Sequence, residues 1–391
     1  MEGVGRHTNL MAQGLVECGH SVHVITRGEK DQVSFYDGAY VHQLAQRRGR
    51  YERYRHLNDL YFSLNHSQAV YEEVKRLQLN DGIQVVDSPV WLIDGLVTAT
   101  SGVAPVVVRL QTARKQIAAL QKFRDDDSRL IGEMEQALIE RAAYLVPNSQ
   151  ATVEAAARVY GAAMSPDRYT IIPHGIVPVS DEAVRPFDPQ QPPDTLTVLY
   201  VGRLEKRKGI ADLFEAIPRV LQKTPRVRFI IAGSDNSQAD GFFNRTGLTY
   251  PAYFASKHPQ LAGQVEFKGA VSEEDLHRLY QSCDLFVAPS LYESFGLIYL
   301  EAMNYAKPVI GCRAGGIPEV VDHGVSGLLV DPAAPIALAE AITSLLSAPV
   351  KLCELGLAGR QRLLEQFTHI QMARRFAEVY RTVIQAAARP E

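Results

Sequence analysis

The residues best suited to chemistry lie in a basic turn bounded by glycines, Gly202-Arg203-Leu204-Glu205-Lys206-Arg207-Lys208-Gly209. The turn follows an apolar run at 196–201 and precedes an amphipathic segment at 210–221. This order predicts a strand, a turn and a helix, whose unpaired N–H groups and positive dipole end favour an anion. Arg203 and Lys208 would then bind a diphosphate from two sides. For the charges alone a solvated turn is the alternative, but the position between strand and helix favours an anion site.

Two glutamates, Glu293 and Glu301, mark a second candidate site after an apolar run at 285–288. A helix that starts near Ser294 would offer N–H groups to a phosphate and separate the two carboxylates by roughly 12 Å along its axis. A carboxylate accepts hydrogen bonds from two adjacent hydroxyls, so one glutamate suits a sugar and the other a ribose. The alternative is a helix-capping Glu293 and a surface Glu301. The apolar neighbours of Glu301 instead predict a largely buried helix.

A third turn, Gly315-Gly316-Ile317-Pro318-Glu319, combines two glycines with a short helix that has proline near its start. It is predicted to face the same ligand. A plain connection between a strand and a helix would have the same sequence pattern, so this motif is the weakest of the three.

Short apolar runs alternate with longer amphipathic segments along the chain, which predicts an α/β fold of parallel strands joined by crossover helices. The predicted strands are 22–26, 39–44, 83–87, 105–110, 144–147, 169–173, 196–201, 227–232, 265–268, 285–288, 308–310 and 328–330. A helical pattern begins at the very start of the chain with no strand before it. Since the first strand of a doubly wound sheet is central, either an open sheet centre or a truncated chain is expected.

The proline-rich segment 186–194 can neither continue a helix nor form a central strand. It is therefore predicted to be a linker between an N-terminal domain, 1–185, and a C-terminal domain, 195–366, with a last helix at 367–391. Two domains also suit a chain of 391 residues.

Composition argues against several classes of protein. The 41 Lys and Arg residues against 44 Asp and Glu residues give a net charge of 41 − 44 = −3, so no global basic field recruits nucleic acid. The four cysteines are far apart and follow neither a disulfide framework nor a zinc spacing, which predicts a cytoplasmic protein. No metal or cofactor is expected. The chain has no long apolar run and no leader, so any membrane contact would be peripheral.

In order and spacing, these motifs resemble the retaining glycosyltransferase family 4, together with the trailing loop 322–327. The stretch Gly3-Val4-Gly5-Arg6 is similar to the family's N-terminal glycine loop. The resemblance implies the GT-B fold, in which two Rossmann-like domains face each other across a cleft and the last helix crosses back to the first domain. It also implies that a hexose moves, with retention of configuration, from a UDP- or GDP-sugar to a sugar, lipid-linked or small-molecule hydroxyl, as in polysaccharide biosynthesis.

The resemblance also implies roles for particular residues. Arg203, Lys208 and Glu293 would be catalytic, and Arg109 and Gln111 would lie on the acceptor side. Relatives often have histidine at the position of Gln111, and glutamine cannot titrate, so a proton-transfer role there is not expected. The implied donor-binding residues are Gly3, Gly5, Gly202, Gly233, Val271, Ser294, Phe295, Gly296, Leu297 and Glu301.

Two other functions remain compatible with these residues: a sugar-nucleotide epimerase on the same fold, and a truncated, non-catalytic nucleotide-sugar-binding protein. A dinucleotide dehydrogenase is disfavoured because the first half lacks a strand followed by Gly-x-Gly-x-x-Gly. The first alternative would make a product without a glycosidic bond, and the second would bind a nucleotide without consuming its sugar.

Three further features stay open. Five arginines and two tyrosines between Arg47 and Arg55 could bind an anionic acceptor or an acidic lipid surface, or form a solvated loop. The insertion 234–264 could cover the donor or decorate the surface. His174 is expected to be structural.

Overall fold

The computed structural model describes residues 3–112, 114–115 and 125–388 of the chain. Internal contacts divide it into two compact units. The first comprises Met1–Gly175 and His369–Glu391, and the second comprises Ile176–Thr368. The last helix, His369–Ala387, therefore belongs with the first unit, as the resemblance implied.

The predicted linker 186–194 is wrong as a boundary, because this segment lies inside the second unit. The chain enters that unit at Ile176 and is held there by side chains. The Asn304 side chain donates to the carbonyl of Val177 (2.9 Å) and accepts from the amide of Val179 (3.0 Å). Proline content shows where regular structure breaks, but it does not reveal such long-range bonds.

The first unit contains two separate three-stranded sheets among its described residues. Their strands are β1 (His23–Gly28), β2 (Gln32–Tyr36), β3 (Ala39–Ala45), β4 (Val86–Pro89), β5 (Val106–Leu110) and β6 (Tyr144–Pro147). One sheet has the order β1-β3-β2, with β2 antiparallel to β3, and the other has the parallel order β4-β5-β6. No strand pairing joins the two sheets among the described residues.

Two strand predictions in this unit differ from the structure. Strand β2 was missed because polar residues interrupt its apolar pattern, although Asp37-Gly38 between β2 and β3 is a typical hairpin turn. Residues 169–173 form no strand, and only a single bridge joins Tyr169 to Leu145. The segment nevertheless lies along β6, since the amides of Thr170 and Ile172 donate to the carbonyls of Leu145 (3.2 Å) and Pro147 (3.0 Å).

The described helices of the first unit cover its sheets and pack on each other. They are Gly3–Glu17, Asn58–Asp81, Leu96–Ser101, Asp126–Arg141, Gln150–Tyr160 and His369–Ala387. Met11 and Leu15 on the first of these share a buried cluster with Met372 and Phe376 on the last. The two ends of the chain thus build one core.

The second unit contains a six-stranded sheet in which every pairing is parallel. Its strands are β7 (Leu196–Val201), β8 (Val227–Ala232), β9 (Val265–Gly269), β10 (Leu285–Val287), β11 (Val309–Cys312) and β12 (Leu328–Val330). Its described α-helices are Ile210–Lys223, Phe242–Thr246, Tyr250–Lys257, Glu273–Ser282, Leu297–Asn304, Ile317–Val320, Pro335–Leu346 and Pro349–Gln366. The sequence predicted every strand of this sheet to within two residues at each end.

Within the described ranges, no individual helix combines the length and the apolar character needed to cross a bilayer. Pro335–Leu346 and Pro349–Gln366 meet that test only as a pair, which is bent by 101°.

Candidate functional site

The order of strands in the second unit reverses beside the predicted turns. The sheet order is β12-β11-β10-β7-β8-β9, so the chain moves outward from β7 to β9 and then returns to β10 on the other side of β7. Ligands of such sheets bind outside the carboxyl ends of the strands where the order reverses. The turn Gly202–Gly209 leaves β7, and the segment 288–296 leaves β10, so both predicted turns lie at this reversal.

The turns are packed directly against one another. The amide of Leu291 donates to the carbonyl of Arg207 (2.8 Å), and the Arg207 guanidinium donates to the carbonyl of Tyr292 (3.1 Å). Gly209 has a φ of +69°, and a Cβ placed there would lie 1.8 Å from the carbonyl oxygen of Pro289. Glycine is required at this position both for the backbone conformation and for the close approach.

The third turn supports the second. The amide of Gly316 donates to the carbonyl of Glu293 (2.9 Å), and the short helix Ile317–Val320 follows, as the sequence predicted. The Gly-Gly-Ile-Pro-Glu segment thus fixes the backbone that carries Glu293.

Glu293 lies at the centre of the charged groups. Its carboxylate is 2.5 Å from Nζ of Lys208 and 3.5 Å from Nη1 of Arg207, and it accepts a hydrogen bond from the Ser290 hydroxyl (2.9 Å). The residue is only 9% exposed. Burial opposes its ionisation, but Lys208 and Arg207 outweigh burial and hold the pKa of Glu293 below its usual value. The site therefore contains a buried carboxylate that stays ionised.

Arg203 is more accessible than Lys208. Its side chain is 51% exposed, and its Nε lies 3.6 Å from the carboxylate of Glu205. Glu205 is buried and also accepts hydrogen bonds from the side chains of Arg207 (2.9 Å) and Asn236 (2.8 Å). The sequence reasoning missed Glu205 and Arg207 as parts of the site. The sequence did contain a signal for both residues, because Glu205 is the one acidic residue in a short turn with four basic residues. A carboxylate in that position can pair with more than one cation.

The helix after Glu293 starts later than predicted. It begins at Leu297, after Gly296 in the left-handed conformation, and not near Ser294. Phe295 is only 2% exposed and its ring lies 6.0 Å from that of Phe367, so its side chain belongs to the core. The amides of Gly296 and Leu297 remain at the start of this helix, and their donor-binding role stays a prediction.

Glu301 is buried in the helix Leu297–Asn304, as the sequence predicted. It accepts a hydrogen bond from the Tyr280 hydroxyl (2.8 Å). Gly202, Gly233 and Val271 follow the carboxyl ends of β7, β8 and β9, at the same edge of the sheet. Contact of a donor with Glu301 and with Gly202, Gly233 and Val271 stays a prediction.

In the first unit, Gly3, Gly5 and Arg109 have other environments than predicted, and the acceptor-side role of Gln111 stays a prediction. Gly3 and Gly5 lie in the helix Gly3–Glu17 and not in a glycine loop. Arg109 is 3% exposed, and its Nε pairs with the carboxylate of Asp87 at 2.5 Å. Arg109 thus has the surroundings of a structural ion pair instead of an open acceptor-side group. Gln111 follows β5 and is partly buried.

His174 is buried beside Asn148, with 3.0 Å between its Nε2 and the amide nitrogen. Burial, assisted by the nearby Arg109 charge, lowers the pKa of His174 to about 3. The imidazole is therefore neutral near pH 7, which agrees with the predicted structural role.

The arginines between Arg47 and Arg55 lie on the surface of the first unit. Arg47 pairs with Asp31 (2.7 Å) and the Arg53 guanidinium lies over the Tyr54 ring, while Arg48, Arg50 and Arg55 are exposed. The described part of the chain has no group of three or more His, Cys, Asp or Glu side chains arranged to hold a metal ion. All four cysteines are free.

Comparison with known families accounts for both units. Residues 1–179 match the model for Glycosyltransferase Family 4, and residues 182–362 match the model for Glycosyl transferases group 1. A glycogen synthase from Mycobacterium tuberculosis is 30% identical over 265 residues, which is 68% of this chain and 60% of the relative. The chain thus matches less than two thirds of that relative's length.

Solved structures have the same architecture. Sucrose-phosphate synthase from Thermosynechococcus elongatus superposes with a TM-score of 0.75 at 26% identity, over 98% of this chain and 94% of the other. Anabaena HepE in complex with UDP and glucose superposes with a TM-score of 0.66 at 20% identity, over 93% and 100% of the two chains. With both parts of the family represented in one α/β chain, this protein belongs to glycosyltransferase family 4 and has the GT-B fold.

Proposed function

We propose that this glycosyltransferase moves a hexose from a UDP- or GDP-sugar to a hydroxyl of a sugar, lipid-linked or small-molecule acceptor, with retention of anomeric configuration and without a metal ion. The observation that supports this most directly is the juxtaposition of Lys208, Arg207 and Glu293 at the strand-order reversal. These residues bring two cations and one ionised carboxylate to the place where a nucleotide is expected. Anabaena HepE was solved with UDP and glucose, so UDP is the first nucleotide to test.

In the proposed reaction, the bond between the anomeric carbon and the β-phosphate oxygen breaks and its electrons pass to the phosphate. Arg203, Lys208 and the amides at the start of Leu297–Asn304 stabilise that charge in place of a metal ion. Glu293 orients the sugar, and Glu301 binds the ribose. The acceptor oxygen attacks from the face that the phosphate leaves, and its proton passes to the phosphate.

The proposal also places the protein in the cytoplasm, at times on the inner face of the membrane. Four free cysteines suit a reducing compartment. The exposed arginines between Arg47 and Arg55 suit a surface that carries anionic lipid. Sedimentation with vesicles that contain anionic or only zwitterionic lipid would test this contact.

The phosphate assignment predicts a large loss of activity when either cation is removed. Arg203→Ala and Lys208→Ala should each lower turnover about a hundredfold, as loss of a preorganised charge-stabilising group does in other enzymes. The measurement is nucleoside diphosphate release from a panel of UDP- and GDP-hexoses, with EDTA present and with product analysis for a new glycosidic bond.

The matched control is Lys223→Ala, which removes an exposed lysine at the end of the helix Ile210–Lys223. It should retain parental turnover. Parental turnover in Arg203→Ala and Lys208→Ala would contradict the assignment, and an epimerised nucleotide sugar as the only product would replace the proposed reaction.

A further inference from the structure

The insertion Ser234–Gln264 contacts the turn that carries Arg203 and Lys208. The amide of Leu204 donates to the carbonyl of Ser234 (2.9 Å), and the amide of Asn236 donates back to the carbonyl of Leu204 (3.0 Å). This exchange forms a short parallel bridge between Leu204 and Asp235. The start of the insertion therefore extends the backbone pairing of β7 and β8 into the basic turn.

Asp240 makes the second connection. Its carboxylate accepts hydrogen bonds from the amide of Lys206 (2.8 Å) and from the amide of Phe242 (2.9 Å). It also accepts from the Tyr250 hydroxyl (2.5 Å). Asp240 thus joins the middle of the basic turn to both short helices of the insertion, Phe242–Thr246 and Tyr250–Lys257.

The insertion is itself firmly packed. The rings of Phe242 and Tyr250 stack with their centroids 4.0 Å apart, and Tyr250 is almost fully buried. Burial, reinforced by the Asp240 carboxylate, raises the pKa of Tyr250 above its usual value, so its hydroxyl keeps its proton and remains a donor. Phe254 contacts Phe214 on the helix that follows the turn (4.9 Å between centroids).

We propose that the insertion is a positioning element for the donor phosphates, and that Asp240 is its central residue. This inference rests on the proposed function. Of the four basic residues in this turn, Arg203 and Lys208 are the two proposed to bind the phosphates, and the insertion holds the backbone between them at Leu204 and Lys206. By fixing this stretch, the insertion sets how the two cations are presented to a diphosphate. Asp240 acts through the turn and makes no contact with the substrate.

The experiment compares binding of UDP, GDP and the corresponding monophosphates, UMP and GMP, to the parent chain and to Asp240→Asn by titration calorimetry. The asparagine keeps the size of the side chain but removes the charge and one acceptor. We expect the dissociation constant for the diphosphate to rise about tenfold, because the Lys206 amide either loses its acceptor or keeps only a neutral one, which accepts more weakly than a carboxylate. The constant for the monophosphate should rise less than about twofold, since the terminal phosphate accounts for the effect.

Two variants support the comparison. Tyr250→Phe removes one hydrogen bond to Asp240 and leaves the bond from Lys206 in place, so it should raise the diphosphate constant less than Asp240→Asn does. Asp275→Asn changes an exposed aspartate on the helix Glu273–Ser282 that pairs with Arg278, and it should leave both constants at the parental value.

The outcomes separate this inference from the function beneath it. Failure of the parent chain to bind either diphosphate would overturn the proposed function and this inference with it. Parental binding of the diphosphate by a folded Asp240→Asn would overturn the positioning role alone. Equal weakening of diphosphate and monophosphate would also overturn it, because general damage to the unit affects both ligands alike.

Discussion

Lys208 is already neutralised before any donor binds, because the Glu293 carboxylate lies 2.5 Å from its ammonium. A diphosphate that binds Lys208 must therefore compete with Glu293. The Glu293 carboxylate therefore has two effects. It competes with the phosphate for Lys208 in the free protein, and it orients the sugar in the proposed reaction.

Glu293→Gln should consequently bind the nucleoside diphosphate more tightly and turn over more slowly. Loss of the competing carboxylate should tighten binding about fivefold, which corresponds to about 1 kcal/mol. Turnover should fall about a hundredfold because the charge near the sugar is lost. Titration calorimetry with UDP and GDP, together with initial rates, measures both effects.

The control for this substitution is Glu274→Gln, in which the altered carboxylate is exposed and pairs with Arg278 on the same helix. Neither affinity nor rate should change there. Weaker diphosphate binding by a folded Glu293→Gln would show that Glu293 supports the phosphate site instead of competing for it.

At the scale of elements, the site depends on two turns that touch through their backbones. Gly209 ends the basic turn, and its α-carbon lies against the carbonyl of Pro289 in the segment that follows β10. Strands β7 and β10 are hydrogen-bonded neighbours, so their carboxyl ends leave little room between the turns. The contact joins the basic residues of one turn to the Glu293 carboxylate of the other.

Gly209→Ala should destabilise the second unit and abolish diphosphate binding. The added methyl group would require both a strained φ and displacement of Pro289, at a combined cost of about 3 kcal/mol or more. Thermal unfolding monitored by circular dichroism, with and without UDP, measures the loss.

Gly247→Ala is a close control, because Gly247 has a φ of +71° but nothing lies within 4 Å of its added Cβ. It should cost only the conformational strain, about 1 kcal/mol. Equal losses in the two variants would mean that the contact between the turns contributes nothing.

At the scale of the whole molecule, the first unit is assembled from both ends of the chain. The helix His369–Ala387 contributes Met372, Phe376, Val379 and Val383 to a core that it shares with the helix Gly3–Glu17. The second unit, Ile176–Thr368, is continuous. We therefore expect folding of the first unit to require the last helix, whereas the second unit contains no part of it.

Truncation after Thr368 should prevent stable folding of the first unit and leave the second unit able to bind the nucleotide. Burial of four large apolar side chains contributes about 8 kcal/mol, which is comparable to the whole stability of a domain. Scanning calorimetry should show one unfolding transition lost, and the remaining one should still shift with UDP or GDP. Truncation after Ala388 keeps the helix and should unfold like the parent. If the chain truncated after Thr368 kept every unfolding transition of the parent, the core shared by the first and last helices would not be needed for folding of the first unit.

Much of the second unit follows from the sequence because its signals are local. Apolar runs bounded by glycine and proline mark β7 to β12, and a strand followed by a glycine-bounded basic turn predicts a phosphate site at Arg203 and Lys208. These features depend on residues adjacent in the chain. The predicted linker at 186–194 was wrong because hydrogen bonds between residues distant in the chain decide where the second unit begins. The predicted helix start near Ser294 was wrong because Gly296 adopts the left-handed conformation and the helix begins only after it.

The sequence by itself determined the α/β class, the family and the position of the basic turn, because strand and helix periodicity and turn chemistry act over a few residues. Only the tertiary structure decided that Glu293 pairs with Lys208, that Arg109 is buried against Asp87, and that Asp240 joins the insertion to the basic turn. Each of these contacts joins residues brought together by packing of the chain. Burial then sets the strength of the charge interactions, and no local pattern of residues encodes that burial.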